Sequence, residues 1–267
     1  MDGSFVSELE FRVHGFDCGY GGPLRPFAMA NFLQEAAGDN AALHGFGMGD
    51  LQARGWTWML SRLDLRVDAA PRAGDTVRVR TWPAGTRKLF AYRDIEMLGA
   101  GGRSLVRAVY AYLVVDLAAR RPLRPESVFG QGEAPVGAPH PVLDFSFEIP
   151  AAEAPATAFA QRVTGRHIDE NGHANNAHLI DWLADSASAA FSSPGAERRE
   201  LSSLKVEFLA EALEGDELEA SRGRLAEGGR SGEDLIVAEL ARRGTKAARA
   251  LVGFRRAIAE SGSGSVS

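Results

Sequence analysis

Four side chains in the C-terminal half of the chain have types and spacing that could do acid–base chemistry. Asp169, Asn171 and His173 fall at i, i+2 and i+4 within His167-Ile168-Asp169-Glu170-Asn171-Gly172-His173-Ala174-Asn175-Asn176-Ala177-His178, and Glu211 lies four residues ahead of Gly215-Asp216. A carboxylate, a carboxamide and an imidazole at that spacing can project to one side of an extended segment. A helix entered near Asn175 and Asn176 would add unpaired N–H groups and a positive dipole beside them. Hydrogen-bond donors, a base and a positive dipole would then share one place. The plainer reading is that Asp169 and Asn175 cap the helix. Glu211, next to apolar Leu209 on an alternating strand, is expected to face inward, where a carboxylate needs a partner or a task.

An internal repeat separates these readings. At an offset of 150, Arg12-Val13-His14-Gly15 lies over Arg162-Val163-Thr164-Gly165, Gly22 over Gly172 and Leu33 over Leu183; at an offset of 141, Gly74-Asp75 lies over Gly215-Asp216. Asp169, Asn171 and His173 then fall on Gly19, Gly21 and Pro23, and Glu211 falls on Ala70. The first copy enters a comparable helix with none of the four side chains, so capping does not demand them.

Each copy runs strand, loop, long helix, then strands. In the first, Leu9, Phe11 and Val13 alternate, and Pro26 opens a helix with Met29, Phe32, Leu33, Ala36, Ala37 and Leu43 on one face. Strands are expected over 57–67, 75–81, 89–97 and 105–115. The second copy predicts a helix over 176–191, striped by Leu179, Ile180, Leu183 and Ala187, then strands near 204–209, 216–223, 235–241 and 247–255. Seven of the twelve prolines lie in 121–155, which marks an extended connector. The expected division is an N-terminal unit over 1–130, a linker over 131–157, a C-terminal unit over 158–258 and a disordered tail over 259–267. Gly45-Phe46-Gly47-Met48-Gly49 follows a helix rather than a strand, so it reads as helix termination and not as a phosphate loop.

Composition bounds the function. Hydrophobic residues at 45% and charged residues at 24% describe a folded globular chain, and 30 basic against 35 acidic residues, net −5, argue against a globally basic nucleic-acid binder. The single cysteine, Cys18, excludes an intramolecular disulfide and any zinc site needing two thiolates. It lies in the copy lacking the polar set and reads as a small hydrophobe. The segment Met1–Glu8 has neither the basic start nor the apolar run of a secretory signal, and no apolar stretch approaches the ~20 residues of a membrane span, so a soluble cytoplasmic protein without a membrane partner is expected. His167, Asp169, His173 and His178 could be grouped as metal ligands, but a loop-to-helix junction separates the last two, and no metal is expected. His140 reads as a surface residue, and Trp56, Trp58, Trp82 and Trp182 as core or pocket walls.

The motifs carry a resemblance. Asp169-x-Asn171-x-His173-x-Asn175-Asn176, Ile180-Asp181-Trp182 and Val206-Glu207-Phe208-Leu209-Ala210-Glu211 resemble the second half of acyl-ACP thioesterases. Phe32-Leu33-Gln34-Glu35-Ala36-Ala37-Gly38, Trp56-Thr57-Trp58-Met59-Leu60-Ser61-Arg62, Gly74-Asp75, Thr81-Trp82-Pro83 and Phe90-Ala91-Tyr92-Arg93-Asp94 are similar to the first half, in the same order. The resemblance implies an α+β fold, a tandem double hotdog in which antiparallel sheets wrap two long helices. It implies hydrolysis of fatty acyl-ACP thioesters without a cofactor, with Asp169, Asn171, His173 and Glu211 as the catalytic set. Some members carry a Cys directly after the Glu; here that position is Ala212, so water rather than a thiolate is expected to attack.

On this reading Glu211, raised by burial or fixed by its neighbours, is the first candidate to take the proton, with His173 and Asp169 the alternatives; His173 and Asn171 position the water or thioester, and Asp169 steadies them. N–H groups near Asn175 and Asn176 meet the oxyanion, while Trp58, Trp182 and Arg93 contact substrate. The emptied first half would enclose the acyl tail. Acidic acyl carrier protein, with its acyl-phosphopantetheine, would dock on Arg87, Lys88, Arg93, Arg198 or Arg199, and a homodimer is allowed. The competing readings are an acyl-CoA thioesterase with the same catalytic set, a hydratase, disfavoured because its Asp-x-Asn-Pro-x-His spacing is absent, and a non-catalytic acyl-binding protein.

Overall fold

The computed structural model describes residues 5–129, 147–192, 197–225 and 232–257. His140, the tail over 259–267 and most of the expected linker lie outside the described residues. The first half runs β1 (Ser7–Arg12), α1 (Pro26–Leu43), α2 (Met48–Gln52), β2 (Trp56–Val67), β3 (Thr76–Arg87), β4 (Phe90–Leu98), β5 (Ser104–Asp116), β6 (Arg121–Leu123) and α3 (Pro125–Phe129). The second runs β7 (Glu153–Arg162), α4 (Asn176–Ser188), β8 (Arg199–Phe208), β9 (Glu217–Arg224), β10 (Asp234–Arg242) and β11 (Thr245–Arg256).

Every strand pairing is antiparallel, in the order β1-β3-β4-β5-β2 for the first half and β8-β11-β10-β9-β7 for the second. The two join edge to edge where β2 pairs β8, from Arg62↔Glu207 to Arg66↔Ser203. Asp64 sits opposite Lys205 at the middle of that ladder, 3.4 Å from it, and the two residues are 141 apart, so the repeat's two-fold axis runs between them. Leu63, Leu65, Leu204 and Val206 turn inward onto the helices and are almost fully buried.

Three departures from the expected elements have local causes. Strand β3 continues past Pro83 because a register shift between Pro83 and Thr86 absorbs the missing donor. Residues 121–129 are not connector: β6 pairs β5, and α3 packs Val128 and Phe129 against Leu51, Phe46 and Trp58. Strand β7 starts at Glu153, inside the stretch read as linker.

Helix α1 starts at Pro26, whose missing N–H falls where no intrahelical bond is possible. It ends in a Schellman turn, with Gly45 at φ 75° and bonds from Phe46 N–H to Ala41 O (2.9 Å) and Gly45 N–H to Ala42 O (3.1 Å). Its buried face carries Met29, Leu33, Ala36 and Ala37, but Leu43, expected on that face, is 73% exposed because the helix has already passed the edge of the core. The expected stripe of α4 is buried as a unit.

The helices meet near their N-termini, where Phe27 N–H donates to Asp181 Oδ1 (3.2 Å) and the Phe27 ring packs on His178. Burial first, and then neighbouring Asp185, pushes the Asp181 carboxyl from 3.8 up to about 6. A folded-state value above the unfolded one means that the stability tied to this group is present below about pH 4 and lost as pH rises through about 6. Asp181→Asn keeps an oxygen for Phe27 N–H, so thermal melts should show it stabilised by about 1 kcal/mol at pH 8 and unchanged at pH 4.

Candidate active site

The loops entering the two helices share one backbone. Gly19 N–H bonds Pro23 O and Asp169 N–H bonds His173 O, both at 2.8 Å; Cys18 bridges Leu24 as Ile168 bridges Ala174. Leu24 N–H reaches Pro71 O (2.7 Å) and Ala174 N–H reaches Ala212 O (2.8 Å). Gly22 and Gly172 turn the two loops at φ 97° and 82°, a conformation that costs other residues. With the main chain held in common, the side chains are what distinguish the copies.

In the second copy Asp169 Oδ1 accepts from Asn171 N–H (2.9 Å), which closes the turn that presents Asn171 and His173. The tie between Ala174 and Ala212 brings the segment after β8 alongside, and His173 Nε2 stands 3.3 Å from Glu211 Oε2. Glu211 does not face inward as expected: its side chain is 51% exposed, and Leu209 is exposed as well. Alternation fails because β8 ends at Phe208, and Leu209 and Ala210 both donate to Ala247 O as the chain leaves the sheet. Contact with His173, not burial, is therefore what fixes the position of the Glu211 side chain.

Asn175 has the capping role: its Oδ1 accepts from Ala177 N–H (2.8 Å), and its own N–H is spent on His167 O (2.8 Å), so it is not an oxyanion donor. Asp169 does not cap the helix. The Asn176 N–H, by contrast, has no acceptor among the described residues. Trp182, expected at substrate, is 7% exposed and packs with His167 and His178 at 5.1 and 5.7 Å between ring centres. Burial lowers the pKa of both histidines, which are packing residues.

The first half holds a cavity of about 200 Å³ between α1 and the sheet. Trp58 and Arg93, the two residues expected at substrate besides Trp182, both line it, and Arg93, also expected to dock the carrier, is half-buried there. Asn40, Tyr112, Phe5 and Phe129 also line it and were missed. A signal existed: Gln34, Ala37, Gly38 and Ala41 at helical spacing make one face of α1 too small to fill the space beneath the sheet. The cavity and the His173–Glu211 pair share no lining residue.

Models of two families match, the acyl-ACP thioesterase N-terminal domain over residues 5–128 and the acyl-ACP thioesterase C-terminal domain over 152–255. The chain is 28% identical to a chloroplastic palmitoyl-acyl carrier protein thioesterase of Gossypium hirsutum, over 79% of this chain and 53% of that protein. It is 26% identical to a chloroplastic dodecanoyl-[acyl-carrier-protein] hydrolase of Cinnamomum camphora, over 77% and 56%. It thus spans about half the length of the plant relatives it matches. The solved acyl-ACP thioesterase of Bacteroides thetaiotaomicron superposes with a TM-score of 0.78 at 22% identity, covering 94% of this chain and 98% of that one. The 12:0-ACP thioesterase of Umbellularia californica superposes at 0.76 and 20%, covering 96% and 95%. These likenesses show the double hotdog fold, and the two family models, which together cover nearly all the described residues, show that the chain belongs to the acyl-ACP thioesterase family.

Proposed function

We propose that the chain hydrolyses fatty acyl thioesters carried on acyl carrier protein, the second half performing the chemistry and the first holding the acyl group. The observation that carries this reading is the His173–Glu211 contact, built on a backbone whose other copy has Pro23 and Ala70 at the same places. Glu211 accepts a proton from a water whose oxygen attacks the thioester carbonyl, and His173, in contact with it, fixes its orientation. Asn176 N–H, with Asn171 beside it, meets the charge on the carbonyl oxygen, worth about 3 kcal/mol per well-placed donor. The tetrahedral intermediate collapses with loss of the C–S bond, the proton passes from Glu211 to sulfur, and the products are a free acid and a thiol. Attack by a thiolate has no support: Ala212 is buried under the loop, and burial raises the pKa of Cys18 in the other copy.

The two-fold axis supports a route from cavity to cluster. Arg198 fills the space beside Gly21 in the first copy, and 141 residues earlier stands Thr57, so by the two-fold relation the start of β2, with cavity-lining Trp58, would lie on the Asn171 side of the second copy. Among the proposed carrier-docking cations, Arg87 and Lys88 remain, exposed on the β3–β4 turn. Arg93 is interior, Arg198 is turned onto the first loop near Glu200, and Arg199 is held by Asp234 (2.8 Å). Among the described residues no helix is long and apolar enough to cross a membrane.

Hydrolysis of one acyl group on acyl carrier protein and on CoA, with the released acids identified by mass spectrometry, tests the assignment. A higher kcat/KM on the protein carrier is expected. Faster turnover of the CoA ester would replace the carrier, and release of no acid from either would leave an acyl-binding protein.

A further inference from the structure

The cavity wall remote from β2 is polar. Arg93 stands on β4, two strands from β2 and hence about 10 Å across the sheet. Its Nη1 donates to Asn40 Oδ1 (2.5 Å) and to Thr81 Oγ1 (3.4 Å). Asn40 is fully buried, and its own donors are spent on Phe5 O (3.0 Å) and Ser7 Oγ (2.9 Å). The remaining guanidinium nitrogens of Arg93 have no acceptor among the described residues, and no carboxylate there pairs with it. Three other arginines of this sheet are, by contrast, matched by carboxylates: Arg62 with Glu207 at 2.9 Å, Arg78 with Glu8 at 3.0 Å and Arg80 with Glu96 at 2.8 Å. Burial holds the Arg93 pKa below its usual value, and the titratable group acting on it is the Tyr112 phenol, itself pushed up to about 12.

Arg93 is half-buried and faces the cavity with donors to spare, and a hydrocarbon tail filling that space would cover those donors without offering them an acceptor. We propose that the acyl group taken by this cavity carries at its far end an oxygen that accepts hydrogen bonds from Arg93, a carboxylate being the strongest case. The thioester end of this substrate rests on the hydrolase reading above; the distal oxygen rests on the cavity alone.

Two measurements keep the readings apart. The first compares kcat/KM for octanoyl, 8-hydroxyoctanoyl, 7-carboxyheptanoyl and hexadecanoyl groups on acyl carrier protein, in the wild type and in Arg93→Met and Arg93→Lys. The carboxylated substrate should exceed octanoyl by at least about tenfold in the wild type, with the hydroxylated one between them. The preference should vanish in Arg93→Met and survive in part in Arg93→Lys. The second is calorimetric binding of methyl octanoate and monomethyl octanedioate to the wild type, which needs no turnover; the half-ester should bind at least about tenfold tighter. Equal binding of the two esters, or a wild-type preference for octanoyl or hexadecanoyl, overturns the proposal even if thioesters are hydrolysed. Tighter binding of the half-ester without hydrolysis of any thioester upholds it and removes the hydrolase reading instead.

Discussion

Glu211→Gln is expected to lower kcat for acyl-ACP hydrolysis by at least about 10²-fold while leaving the thermal midpoint unchanged. The amide keeps the shape and removes the basicity, so the loss isolates proton transfer from packing. Stability should hold because the side chain is 51% exposed and touches His173 across 3.3 Å of accessible space. His173→Ala should fall by a comparable factor, and the double variant by little more than either single one, because groups that act as a unit are not additive. Retention of wild-type kcat in Glu211→Gln would move the base elsewhere, to His173 or Asp169. A multiplicative loss in the double variant would mean that the two side chains act in separate steps.

What the residues made legible beforehand was the repeat and, through it, the four side chains that break it. Both rest on strong local signals, such as Pro26 opening one helix and the run Asp169 to Asn176 entering the other. The helix-period stripes worked where burial is continuous, along α4, and failed at Leu43, where α1 outruns its core. Short elements were not foreseen. Helices α2 and α3, of five residues each, exist because Leu51, Val128 and Phe129 find each other across 70 residues and more, not because five residues favour a helix. The edge pairing of β2 with β8 left no residue-level mark, since backbone groups make it. The position of Glu211 was misjudged for a related reason: period-two alternation applies only while the ladder lasts, and the ladder stops at Phe208.

Ala41→Phe tests whether the first copy was emptied to house the acyl group. Ala41 belongs to the α1 face of Gln34, Ala37 and Gly38, is partly exposed, and opens onto the cavity of about 200 Å³, into which a phenyl ring would project. Each methylene that can no longer be buried forfeits about 0.8 kcal/mol, so excluding even four costs about 3 kcal/mol. The variant should therefore lose at least about 10²-fold in kcat/KM on octanoyl-ACP and stay within a few-fold of wild type on butyryl-ACP, with kcat on the short substrate intact. That split separates the cavity from the catalytic cluster, because a disturbance transmitted to His173 and Glu211 would slow both substrates alike. If octanoyl and butyryl turnover fell together, or neither fell, the acyl chain would lie outside the first half, and the missing side chains at Gly19, Gly21, Pro23 and Ala70 would reflect loss of a second active site with no new use for the space.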